Sequence, residues 1–243
     1  MSASAYDRGW ETRWDDMKRH GPFSRHLRRL IQRMLRTLAF ETLLDVGCGQ
    51  GSLLAELCSA FPHVQPFGCD ISVSALALAR QNVPHGQFLA LDITEEALDR
   101  KFDLVVCSEV LEHVPADMVA LHNLARMTGK YLLISTVQGQ MRRFEAEEVG
   151  HVRNYTPGEL VRKVERSGLQ VTRVVEWGFP FYSPIYRNLL ETTGSRGTTG
   201  KFGPVRRTIS RAIYLLFLLN SSRRGDEILV LAEPVPSRPI TEE

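Results

Sequence analysis

Leu43-Leu44-Asp45-Val46-Gly47-Cys48-Gly49-Gln50-Gly51-Ser52-Leu53-Leu54 is the stretch whose reading decides the fold. Its first residues form a buried strand. The strand breaks into a tight glycine turn, and a helix opens after it. Glycines at alternate positions carry no Cβ to hold a ligand away, and they adopt positive φ cheaply. The helix start adds backbone N–H groups with no intrahelical partner. Nucleotide-type cofactors are held in such turns.

Around this stretch the pattern alternates between strand and helix. Strands are expected at 43–47, 65–71, 87–93, 102–108, 130–137, 170–177 and 226–233. Helices are expected at 52–61, 75–81 and 116–127. A further helix opens at Thr156-Pro157-Gly158-Glu159, with Thr156 as N-cap and Glu159 completing a capping box, and it ends at Ser167-Gly168. Strands separated by helices predict an α/β fold, with a mostly parallel sheet covered on both faces. Before the sheet, Leu27, Leu30, Ile31, Met34, Leu35 and Leu38 recur at helical spacing, and Trp10 and Trp14 fit a shorter helix. The expected organisation is N-terminal helices over 1–39 and the main domain over 40–243. Two stretches break the rhythm: a loop at 138–155 and an insert at 178–225 between the last two strands.

The bulk properties bound the function. At 243 residues, 43% hydrophobic and 24% charged, the chain is an ordinary globular domain. Its longest apolar run, Ala212 to Leu219, is too short to span a bilayer, and the N-terminus lacks a signal core. The four cysteines (Cys48, Cys58, Cys69, Cys107) have no paired metal spacing, so reduced structural thiols and a cytoplasmic location are expected. The net charge of +2 conceals segregation: residues 1–40 hold nine Lys/Arg against four Asp/Glu, and 195–224 hold seven Lys/Arg and no acid.

The spacing G-x-G-x-G is one residue tighter than a dinucleotide fingerprint. With Gly68-Cys69-Asp70-Ile71-Ser72, Leu91-Asp92-Ile93, and the run from Phe102 through Ser108-Glu109-Val110-Leu111-Glu112-His113, the chain resembles class I S-adenosylmethionine-dependent methyltransferases over roughly 40–235. The small-molecule type, similar to ubiquinone-pathway enzymes, is the nearest in character. The resemblance implies a Rossmann-like, doubly wound seven-stranded sheet of order 3-2-1-4-5-7-6 with the last strand antiparallel. It implies S-adenosylmethionine as cofactor, cradled by Gly47, Cys48, Gly49 and Gly51. Asp70 would hold the ribose hydroxyls, with Ile71 against the adenine. Asp92 and the Ile93 N–H would meet the adenine edge, and Asp45 the cationic amino group. No basic phosphate clamp is present, in keeping with a cofactor that has no phosphate.

Residues after the fourth and fifth strands should line the acceptor pocket: Ser108, Glu109, Glu112, His113, Thr136, Gln138, His151, Arg153 and Tyr155. His113 and His151 are the candidate general bases, because histidine titrates near neutrality, and Glu109 stands beside them. Clusters similar to Glu109, Glu112, His113 and His151 bind a divalent ion in small-RNA 2′-O-methyltransferases and ubiquinone-pathway O-methyltransferases. The same stretch also occurs in the class without metal, so the metal question stays open. Trp10, Arg13 and Trp14 stand where the class carries a lid.

The expected activity is methyl transfer to a small-molecule acceptor, most readily at oxygen. Alternatives are an RNA methyltransferase and a non-catalytic S-adenosylmethionine-binding sensor or partner subunit. No DNA contact is expected, and RNA is disfavoured because no RNA-binding module is present. The aromatics Phe179, Phe181, Tyr182 and Tyr186, with the apolar helix at 205–219, could roof the acceptor or seat a second copy of the chain. Flanking arginines Arg206, Arg207, Arg211, Arg223 and Arg224 also fit a peripheral contact with anionic lipid or a lipid-linked substrate.

Overall fold

A computed structural model of the protein describes Asp7 and residues 14–194 and 199–235. Trp10 and Arg13 lie outside the described residues. Before the sheet, the described residues form two helices, α1 (Asp15–His20) and α2 (Pro22–Leu35). Asp15 and Asp16 in the first turn of α1, with Lys18, Arg19 and His20 in its last, complement the helix dipole. Pro22 opens α2, where its missing N–H costs nothing. Leu27, Leu30, Ile31, Met34 and Leu35 bury one stripe of α2 against the sheet, each contributing roughly 1.5–3 kcal/mol.

The sheet then builds as β1 (Thr42–Val46), α3 (Ser52–Ala60), β2 (Gln65–Asp70), α4 (Val73–Asn82), β3 (Gln87–Ala90), β4 (Phe102–Ser108), α5 (Asp117–Met127) and β5 (Thr128–Val137). After it come α6 (Glu159–Arg166), β6 (Leu169–Trp177), α7 (Arg187–Thr193), α8 (Pro204–Phe217) and β7 (Glu227–Pro234). The strand order is β3-β2-β1-β4-β5-β7-β6, as expected. β1 to β5 pair in parallel, and β7 runs antiparallel to both β5 and β6. The order reverses between β1 and β4, which opens a crevice at their carboxyl ends.

Both faces are covered, and β4 alternates between them. Val105 and Cys107 join the core beneath α5 and α6, with Leu121, Leu124, Leu160 and Val164. Leu104 and Val106 join the opposite core, with Ile31, Leu57, Trp177 and Phe217. That two-sided burial explains why its centre, Leu104 to Cys107, reads as an unbroken apolar run.

Several local expectations change. β3 ends at Ala90, so Asp92 lies in the loop beyond it. Glu159 Oε2 accepts from the backbone N–H and the hydroxyl of Thr156 (both 2.9 Å), but α6 begins at Glu159 with left-handed Gly158 as N-cap. Only half of the capping box forms, because the Thr156 hydroxyl donates to Glu159 instead of capping. The stretch 138–155 contains a π-helical turn, Glu145–Val149, and the insert contains another, Phe181–Tyr186. All four cysteines are free thiols, Cys58 being the half-buried one. Among the described residues no helix is long and apolar enough to cross a membrane.

Candidate active site

Two adjoining cavities open at the carboxyl ends of β1 to β5. The larger, about 370 Å³, is lined by Asp45, Gly47, Cys48, Gly49, Asp70, Ile71, Asp92, Ile93 and Ser108. The smaller, about 200 Å³ and mostly apolar, is lined by Phe144, Tyr182, Tyr186, Leu190, Phe202, Ile209 and Ile213 with Glu112 and His151. Trp14, Met17, Lys18, Phe23, Ser24, Glu109, His113 and Val149 belong to both.

The glycine turn is held by the protein itself. The N–H groups of Gly47 and Cys48 donate to the Cys69 carbonyl (2.8 and 3.0 Å), that of Gly49 to Asp70 Oδ2 (2.8 Å), and that of Gly51 to the Cys48 carbonyl (2.9 Å). These donors are thus consumed internally and not held out to a ligand, as a phosphate would require. A Cβ on Gly47 would sit 2.3 Å from Val110 Cγ2, so this glycine (φ +71°) lets the turn and the loop after β4 close on each other. Gly51 does not line the cavity. It is the left-handed N-cap of α3 (φ +80°), and a Cβ there would sit 3.3 Å from Ala79 of α4.

Asp70 is buried at the end of β2. Oδ1 accepts from the Ser72 N–H (2.9 Å), and Ser72 Oγ caps α4 by accepting from Ala75 N–H. Ser72 itself donates to Asp7 Oδ1 at 2.5 Å. Burial raises the Asp70 pKa, against the backbone N–H donors that lower it. Asp45 is 2% exposed, and its Oδ2 has no hydrogen-bond partner among the described residues. Burial, then the nearby Asp70 charge, pushes its carboxyl up to about 8. An unpaired buried carboxylate is costly, and a cation beside it removes the cost. Asp92 Oδ1 accepts from the Thr94 N–H and hydroxyl (2.8 and 2.7 Å), which ties the loop after β3.

Glu109 follows β4 with a left-handed backbone (φ +59°) at a non-glycine position. Such backbones persist where surroundings hold them, and they cluster at functional sites. Ser135 Oγ donates to Glu109 Oε1 at 3.3 Å, and the Ser108 and Ser135 hydroxyls are 2.8 Å apart. Burial and the neighbouring Glu112 raise the Glu109 carboxyl to about 7. Glu112 is fully buried. It accepts from Thr136 Oγ1 at 2.7 Å and is raised to about 7 by burial, while its Oε1 has no hydrogen-bond partner among the described residues.

His113 and His151 meet edge to face, 4.9 Å between ring centres. Nδ1 of His113 is 3.1 Å from the Gly150 carbonyl, to which it can only donate. Nδ1 of His151 is 3.4 Å from Asn154 Oδ1. Burial depresses both rings, His113 to about 4 and His151 to about 3. They are therefore neutral near pH 7 and weak proton acceptors, which counts against the expected histidine base. Donor atoms of Glu112, His113 and His151 all lie within 4.8 Å of one another. Two neutral imidazoles and the Glu112 carboxylate, whose Oε1 accepts no hydrogen bond among the described residues, fit a divalent ion.

Other expected pocket residues lie elsewhere. Arg153 pairs with Asp117 Oδ2 and donates to the Pro115 carbonyl, and the Tyr155 hydroxyl donates to the same Asp117 carboxylate. Gln138 donates to Glu176 and to the Gly225 carbonyl. Thr136 reaches the site only through Glu112. Of the insert aromatics, Tyr182 and Tyr186 line the smaller cavity, whereas Phe179 and Phe181 do not.

Three charged groups escaped the sequence reading. Lys18 borders both cavities, four residues after Trp14 and so on the same helical face. Glu227, wholly buried at the start of β7, is pushed well above the usual range by burial and the Glu109 charge. Arg187 is buried between Glu145 Oε1 (2.6 Å) and Asp226, fastening the insert to the loop after β5. Only Lys18 had a signal in the sequence.

A family model described as a methyltransferase domain matches residues 17–174. The chain belongs to that family, the class I S-adenosylmethionine-dependent methyltransferases. This methyltransferase is 27% identical over 173 residues to the ubiquinone biosynthesis O-methyltransferase of Aromatoleum aromaticum, covering 61% of the chain and 72% of that relative. The N-methyltransferase NodS of Bradyrhizobium japonicum, solved with S-adenosyl-L-homocysteine, matches at TM-score 0.64 and 17% identity over 96% and 98% of the two chains. The magnesium protoporphyrin IX methyltransferase of Synechocystis, solved with the same compound, gives TM-score 0.57 and 16% identity over 86% and 83%. At such identities the two structures speak for the fold alone.

Proposed function

We propose that the enzyme methylates a hydroxyl of a small, largely apolar acceptor, which it holds in the smaller cavity. The observation that carries this reading is the shared wall: an apolar cavity opens onto the cradle of the methyl donor at Glu109, His113 and Lys18. When bound, S-adenosylmethionine supplies a methyl group on a sulfonium, transferred by in-line displacement at carbon. Asp45 carries the carboxylate suited to the amino group of its methionine part. Asp70 keeps lone pairs for the ribose hydroxyls. Ile71 flanks the adenine, with Asp92 and Ile93 at its edge. Trp14, Phe23 and Val149 exclude water where the two cavities meet.

Alignment of acceptor and donor supplies the largest share of the rate in such a reaction, up to ~10 kcal/mol. Glu109 is the proton acceptor that fits best. It stands where the cavities join, and its proton affinity lies near neutrality. His113 and His151, kept neutral by burial, serve with Glu112 as candidate ligands for a divalent ion, whose Lewis acidity would favour the ionised acceptor oxygen. The O-methylation named for the Aromatoleum relative supports oxygen as the acceptor atom.

A panel of phenols, catechols, primary amines and total RNA, incubated with labelled S-adenosylmethionine, tests the reading. Methyl ethers are the expected products. Label only on amines, or only on RNA, contradicts it.

A further inference from the structure

We propose that the outer face of α8 docks on a bilayer surface rich in anionic phospholipid. The helix has two faces. Arg206, Ser210 and Ile213 turn inward to the smaller cavity, and Phe217 is buried in the core behind it. Val205, Leu215, Leu216 and Leu219, on α8 and the turn that ends it, point away and are 40–74% exposed. Ile209 belongs to both, lining the cavity while 55% exposed. Nine of the fourteen large apolar side chains exposed among the described residues fall between 179 and 219. Six of these nine, Val205, Ile209, Leu215, Leu216, Leu218 and Leu219, lie on α8 and the turn that ends it, a concentration beyond the scattered exposure of an ordinary surface.

Charge decides what covers this face. α8 packs against α2, and the Arg25 guanidinium lies 4.5 Å over the Tyr214 ring. Neither helix contains an Asp or Glu, although the chain has 28. Arg29 and Arg33 of α2, Arg207 and Arg211 of α8, and Arg223 and Arg224 just beyond are exposed. A second copy seated here would set two arginine-bearing, acid-free surfaces against each other. An anionic bilayer matches both properties: apolar side chains enter the headgroup boundary, and arginines meet phosphates. Because the inner face of α8 walls the acceptor cavity, docking would bring that cavity's Ile209 rim to the membrane surface. The docking surface stands independently of the acceptor's identity.

Vesicle co-sedimentation tests it, using phosphatidylglycerol–phosphatidylcholine vesicles, phosphatidylcholine vesicles, and the full chain. The expected result is binding to the anionic vesicles, weakened by salt and nearly absent with the neutral ones. Arg207→Glu with Arg211→Glu, and separately Leu216→Glu with Leu219→Glu, should each lower partitioning by about tenfold or more. None of these four side chains lines either of the two cavities described above, so titration with S-adenosylmethionine serves as the control for folding. Wild-type chain left in the supernatant at low salt overturns the proposal. So do variants that sediment like wild type, equal binding to neutral vesicles, or a dimer that Leu216→Glu dissociates without any vesicle binding. Vesicle binding by a chain that fails to bind S-adenosylmethionine supports the docking surface while removing the methyl-transfer reading.

Discussion

Asp45 concentrates the argument for a cationic ligand. A buried carboxyl pushed up to about 8 is largely protonated in the ligand-free chain at pH 7. Binding an ammonium group beside it favours the carboxylate, so a proton leaves as the cofactor enters. Affinity for S-adenosylmethionine should therefore rise from pH 6 to 8, with proton release seen as a buffer-dependent heat in calorimetry. Asp45→Asn should weaken binding by about 10- to 100-fold and flatten that pH dependence. Glu109 sits at the joint between the cavities, so Glu109→Gln should spare cofactor affinity and lower kcat by about 10²- to 10⁴-fold. A matching loss of cofactor binding in that variant would make Glu109 part of the cradle instead.

Arg187 shows how one buried side chain fixes an element. It joins α7 to Glu145 in the π-helical turn and to Asp226 before β7. Arg187→Ala strands the Glu145 carboxylate and should cost about 3–5 kcal/mol, read from urea unfolding. Unchanged stability would mean that the insert is fastened elsewhere. The strands and main helices were legible because apolar periodicity and glycine turns are local. β4 kept its predicted bounds, since its centre, Leu104 to Cys107, is buried on both faces and reads as an unbroken apolar run. The Arg187 pairs were not legible, because their partners lie 42 and 39 residues away. Glu227 likewise reads as an ordinary strand-end residue until the sheet order brings it beside Glu109. Gly51 matched a cofactor motif, yet its role is the left-handed start of α3. The motif's spacing does not separate a glycine that serves a ligand from one that serves a turn.

Across the whole molecule, buried titratable groups set how stability responds to pH. Asp45, Glu109 and Glu112 have folded pKa values of about 8, 7 and 7, above their ordinary values. Their contribution is full at low pH and is lost as pH rises through those values. His26, His113 and His151 are depressed to about 4, 4 and 3, so their contribution is present above 6.5 and lost as pH falls. Between about 4.5 and 6.5 the two sets oppose each other. From 6.5 to 8 only the carboxyls change. The metal-stripped, cofactor-free chain should therefore lose stability over that interval, and its Tm should fall. Added S-adenosylmethionine should recover more at pH 8 than at pH 6, because it supplies the missing cation at Asp45. A Tm that climbs steadily from pH 6 to 9 without cofactor would contradict this assignment of buried charge.

The turn after β1, with Asp45 and Asp70, is the cradle we propose for S-adenosylmethionine. Calorimetric titration of the wild-type chain and of Asp70→Ala, with S-adenosylmethionine and with NAD, tests it most directly. Saturable one-site binding of S-adenosylmethionine to the wild type, at least about tenfold weaker binding to the variant, and no binding of NAD are expected. Heat with NAD and none with S-adenosylmethionine, or a variant that binds as tightly as wild type, would contradict it.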